Sequence, residues 1–138
     1  YNPPAHDILC FFQFSTTREL REKHGQELFE LYHSSLSCSL IHAGLDPLAI
    51  FPLDEFLESI EELKTFSMVH GILNTPIMLL ESHAVAKYFD ENPESLENLL
   101  FDDRTPLICG QFNEVERYRE RMVDSLLELH DRLAAKTN

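Results

Sequence analysis

The side chains able to do chemistry in this chain are seven histidines, three cysteines and 24 acidic residues. Their spacing limits what they can do. Sequence-local zinc sites show short fixed intervals such as HExxH or CxxC, and neither occurs here. His6, His24, His33, His70 and His83 are scattered and read one by one as hydrogen-bonded structural histidines, so no metal site is expected. No GxSxG elbow raises a serine to a nucleophile. Phosphate-cradling loops need clustered glycines, whereas the four glycines stand far apart and make neither GxGxxG nor a Walker sequence. Most carboxylates fall on helix faces, where solvation is the default. Asp7 is the exception, because in NPPAHDILCFF it stands at the mouth of an apolar run.

The elements that must position these residues read as helices. Pro3 and Pro4 hold the entry extended, and apolar positions 8, 9, 11, 12 and 14 reach around a short, buried helix from Ala5 to Phe14. Thr16 with Glu19 fits a capping box for a second helix. Its stripe is Leu20, Leu28, Leu31, Tyr32, Leu36 and Leu40, with His24 filling the gap and Gly44 ending it. A third helix begins near Leu53 with Phe56, Ile60, Leu63 and Phe66 inward, and enters the interior beyond Phe66. Pro76 should kink or restart it behind an Asn74 or Thr75 cap, with the restarted helix running to about Phe89. Asp90 to Cys109 reads as a loop holding one helical turn with Leu96, Leu99, Leu100 and Phe101. Asn113 and Glu116 open a last helix whose stripe is Val115, Tyr118, Met122, Leu126, Leu129 and Leu133, and whose tail, Lys136 to Asn138, should fray. No two-residue alternation argues for a strand, so the chain is expected to be all-α.

Composition bounds the function. A length of 138 residues is that of one domain, and 43% hydrophobic residues are enough for a core. The net charge of −13 is the wrong sign for phosphate backbones and anionic membranes, so neither nucleic acid nor a membrane is an expected partner. Cys10, Cys38 and Cys109, odd in number and widely spaced, read as buried free thiols of a cytoplasmic protein. No signal-peptide pattern opens the chain, and Phe66 to Leu80 is too short and polar to span a bilayer.

Three stretches carry a resemblance: NPPAHDILCFFQFSTTRELREKHGQELFELYHSSL, FPLDEFLESIEELKTFSMVHGILNTPIMLL and RYRERMVDSLLELHDR. In this order they resemble the C-terminal part of the ecdysteroid kinase-like, or CHK kinase-like, proteins, which are common in insects and similar to choline kinases and aminoglycoside phosphotransferases. The likeness runs from Asn2 to about Arg132, and the segment through Leu36 is its specific part. It implies the helical part of the C-terminal lobe of a protein-kinase-like fold, so that residues 1–138 form a partial kinase-like domain. It also implies ATP-dependent transfer of a phosphoryl group, with magnesium, to a hydroxyl of a small apolar substrate such as an ecdysteroid.

The family's His-Gly-Asp and Asp-Phe-Gln motifs are not in the sequence, since His24-Gly25 is followed by Gln26 and His70-Gly71 by Ile72. The expectation is therefore an inactive fragment that binds neither ATP nor Mg alone and whose partner is the missing N-terminal part of the kinase. By the same resemblance Asp7 supports the catalytic loop by accepting hydrogen bonds from its backbone. Without that loop it should be a cap or solvated. The alternative from another class is a stand-alone helical module, descended from such a kinase, that binds a ligand or a protein.

Overall fold

The computed structural model describes residues 3–91 and 103–137, and among them every regular element is helical. The described residues hold seven helices: α1 (Pro4–Ser15), α2 (Arg18–His42), α3 (Pro47–Ile50), α4 (Leu53–Met78), α5 (Ser82–Glu91), α6 (Thr105–Glu114) and α7 (Glu116–Thr137). The all-α expectation holds. The expected turn at Leu96, Leu99, Leu100 and Phe101 lies outside the described residues.

α1 starts as its prolines dictate. Pro3 is extended at φ −65° and ψ 145°, and Pro4 takes the first helical position, where its missing amide hydrogen costs nothing. Its buried face, Ala5, Ile8, Leu9 and Phe12, packs with Phe29 of α2 and with Phe56 and Ile60 of α4. Phe12 and Phe29 stack at 5.2 Å, and Phe56 is enclosed by the rings of Tyr32, His33 and Phe51. α1 and α4 approach closely at Gly71, where an added Cβ would stand 3.0 Å from Cβ of Gln13.

Two arginines cover the C-terminal carbonyls of α1. Nη1 of Arg21 donates to the Phe12 and Thr16 oxygens at 3.3 and 2.6 Å, and Nη2 of Arg121 donates to those of Gln13 and Phe14 at 3.2 and 3.3 Å. Orphan carbonyls and the negative helix end both favour cations there. The Arg21 guanidinium also pairs with Glu128 on α7, both side chains being nearly buried, so one residue ties α1, α2 and α7 together.

The second helix differs from its sequence reading in two ways. Its cap is Thr17, whose hydroxyl accepts from the Leu20 amide at 3.3 Å, because Thr16 is already engaged in donating to the Phe12 carbonyl at 2.6 Å. Its buried face is Gly25, Phe29 and His33, with Leu28, Tyr32 and Leu36 flanking it, while Leu20, Leu31 and His24 face out. Gly44 does end it, at φ +75°, with the Leu45 amide bonded to the Leu40 carbonyl and the Gly44 amide to that of Ile41, the paired bonds of a Schellman motif.

α4 does not restart at Pro76 but continues to Met78 with the proline inside its last turn, and the Leu79 amide still reaches the Thr75 carbonyl at 3.0 Å. Asn74 is no cap, since its Nδ2 donates back to the His70 carbonyl at 2.8 Å. Beyond Phe66 only Ser67, Met68, Gly71 and Thr75 are buried, and Phe66 itself is 60% exposed, so the expected entry into the interior is confined to one face. Helix also occupies Asp90, Glu91 and Thr105 to Cys109, where a loop was expected, and Asn113 lies in the last turn of α6 rather than capping α7. On α7 the inward residues are Tyr118, Met122 and Ser125, while Leu126 and Leu133 point outward.

Candidate functional site

The first two turns of α1 carry His6 and Cys10, four residues apart and therefore on one face; α4 brings Ser67 and His70, three apart, against them. The glycine crossing at Gly71 lets the backbones come close enough for the four side chains to meet. Nδ1 of buried His6 lies 3.0 Å from Oγ of buried Ser67. Sγ of Cys10 lies 3.5 Å from Nε2 of His6 and 3.5 Å from Nδ1 of His70. The two imidazoles stack, with centroids 5.4 Å apart and planes 11° from parallel, and Phe66 and Phe14 flank them at 5.2 Å from His6 and 6.4 Å from His70. Cys10 and His70 are half-buried, so the cluster has a core side and a solvent side.

Burial raises the pKa of the Cys10 thiol, the charge of Asp7 raises it further, and the Ser67 hydroxyl opposes both by stabilising the thiolate. Such a thiol is no activated nucleophile at neutral pH. The donor atoms of His6, Cys10 and His70 all lie within 4.8 Å of one another, and they form the one group of three or more His, Cys, Asp or Glu side chains so placed among the described residues. Nitrogen and sulfur donors suit borderline transition metals, whereas magnesium asks for carboxylate oxygens, so this cluster does not fit a magnesium–nucleotide site.

Asp7 is exposed in the first turn of α1, where a carboxylate gains from the helix dipole. The remaining histidines are held locally. Nε2 of buried His33 donates to the Phe51 carbonyl at 2.9 Å, His24 faces Glu27 at 3.3 Å, and His83 faces Glu81 at 3.2 Å. Reading each histidine alone therefore describes His33 but misses the convergence of His6 and His70 on Cys10. The signal available in the sequence was a pair of helical spacings, His6 to Cys10 and Ser67 to His70. The thiol expectation also needs correction, because Cys38 and Cys109 are exposed. No helix of the described residues is long and apolar enough to cross a membrane.

Residues 1–45 match the ecdysteroid kinase-like family. The matched segment comprises α1, α2 and the Gly44 stop, and contributes His6, Asp7 and Cys10, while Ser67 and His70 lie beyond it. No curated protein and no solved structure matches the chain.

Proposed function

We propose that the chain is the helical part of the C-terminal lobe of an ecdysteroid kinase-like phosphotransferase, related in fold to choline kinases and aminoglycoside phosphotransferases. The observation that carries this reading is the family match over residues 1–45. A small core supports it: ten hydrophobic residues are buried while seventeen large ones are exposed among the described residues, which leaves faces for more protein to cover. In the intact enzyme the γ-phosphoryl of ATP passes to a hydroxyl of a small apolar substrate such as an ecdysteroid. ATP and magnesium are held by parts of the kinase domain other than the residues described above. Asp7 accepts hydrogen bonds from the backbone of the catalytic loop, a role suited to an exposed carboxylate at a helix start.

The test joins this chain behind the nucleotide-binding portion of an ecdysteroid kinase-like protein and follows transfer of labelled phosphate from ATP to an ecdysteroid. Transfer by the joined protein, none by the 138-residue chain alone, and a loss of about tenfold or more in kcat with Asp7→Ala are expected. A correctly folded joined protein that transfers nothing to an ecdysteroid or any other small alcohol overturns the reading. A stand-alone ligand-binding module is favoured by one observation, an open cleft of about 500 Å³ where Met78 and Leu79 face Arg117, Tyr118 and Arg121. Saturable binding of a small ligand by the chain alone, together with an inert joined protein, would select it.

A further inference from the structure

We propose that His6, Cys10 and His70 bind a single zinc ion, with Ser67 orienting His6 and the fourth position open to water or an exogenous ligand. Bond lengths of about 2.3 Å for zinc–sulfur and about 2.0–2.1 Å for zinc–nitrogen, at a tetrahedral angle, place sulfur about 3.6 Å from each nitrogen. Both sulfur–nitrogen edges here measure 3.5 Å. The third edge, between the imidazole nitrogens, is at most 4.8 Å. Closing it to the tetrahedral value of about 3.3 Å asks for a shift on the order of 1 Å. The imidazoles stack with planes 11° from parallel, so half-buried His70 must rotate out of that stack for the ion to lie in the plane of both rings.

The surroundings suit a metal. Donation from Nδ1–H of His6 to Ser67, the usual outer contact of a metal-bound histidine, leaves Nε2 unprotonated. Sγ of Cys10 stands 3.5 Å from Nε2 and 3.7 Å from Nδ1 of His6, beside the ring rather than along a lone pair, so Cys10 must change rotamer to share an ion with Nε2. Phe66 and Phe14 lower the local dielectric without closing the entry. Two of the ligands come from one turn of α1 and the third from α4, so the ion would fasten the principal helix pair of the core. Binding balances as a substitution: zinc displaces the Cys10 Sγ–H proton, which leaves to solvent, and both imidazoles bind in neutral form. Three protein ligands with one open position make a site that can either stiffen the fold or polarise a bound ligand.

The experiment is a cobalt(II) titration of the full chain, reduced and freed of metal, in a Cys38→Ser/Cys109→Ser background that removes the two exposed thiols. One equivalent should produce a thiolate-to-cobalt charge-transfer band with the intense visible bands of a tetrahedral ion, and zinc should displace it with loss of colour. Cys10→Ser should abolish the charge-transfer band, and Ser67→Ala should weaken binding about tenfold or more. His70→Asn, at the half-exposed ligand, should weaken it at least as much while leaving far-ultraviolet circular dichroism unchanged. No band at one equivalent, a band that survives Cys10→Ser, or parental affinity in His70→Asn overturns the proposal. The readout needs neither ATP nor a kinase partner, so its failure is distinct from failure of the phosphotransferase reading.

Discussion

Tyr118 joins the last helix to the main one with a single hydroxyl. The ring is 3% exposed, and its OH donates to the Pro76 carbonyl at 2.7 Å. Burial, and to a lesser degree the nearby Cys109, lifts its pKa above the ordinary 10.0. A raised acid pKa means that above pH 10 the unfolded chain releases a proton the folded chain keeps. The stabilisation is therefore complete below that pH and lost as pH rises through the folded value. With no Trp and four Tyr, tyrosinate absorbance reports this cleanly. Tyr32, also raised by burial and then by Asp7, should titrate late as well. Tyr118→Phe should remove one late-titrating phenol and cost about 1 kcal/mol in urea unfolding. An unchanged titration would show the phenol to be solvated. The apolar position of Tyr118 was legible from its spacing along α7, but its partner was not, because Pro76 lies 42 residues away and nothing local marks its carbonyl. Cys10 and His70 were hidden for the same reason, being 60 residues apart.

The crossing of α1 on α4 is set by one missing side chain. At Gly71 a Cβ would stand 3.0 Å from Cβ of Gln13 and 3.3 Å from its Cγ, and a Cβ cannot swing away as the end of a long side chain can. Gly71→Ala should push the helices apart and cost about 1–3 kcal/mol, read as a lower urea midpoint with an unchanged slope. It should also lengthen the contact between Ser67 and His6, one turn away, and so weaken cobalt binding by the cluster; tight binding in a destabilised variant would separate the two effects. The sequence showed α1 and the Gly44 stop because their signals are local: two prolines at the start of α1, and a glycine past the last apolar residue of α2. It misplaced the end of α4 because a proline in a last turn removes one amide hydrogen without displacing the turn that follows it. It misjudged the inward face of α2 because leucines outnumber Phe29 along that helix, and the small Gly25 and polar His33 that share its buried side carry no hydrophobic signal.

At the scale of the molecule, charge and apolar surface oppose each other. A net charge of −13 repels like molecules, while Phe66, Val69 and Leu73, at 60, 43 and 63% exposure, form an apolar stripe along α4 at spacings of three and four. Covering side chains of this size is worth about 1.5–3 kcal/mol each, which for three of them is comparable with the whole stability of a small domain. A second stripe, Val123, Leu126 and Leu127, faces outward on α7. If the remainder of a kinase lobe covers the α4 stripe, the chain alone should brighten an apolar dye such as anilinonaphthalene sulfonate, and the joined protein should not. Val69→Glu/Leu73→Glu should lower that emission severalfold without changing helix content, since both side chains already face solvent. The same double substitution should then weaken assembly with the nucleotide-binding part, because two carboxylates would have to be buried at the junction, each at a cost of several kcal/mol. Dye emission that stays equally high in the joined protein would mean that the stripe remains uncovered there, and that the two parts close against another face.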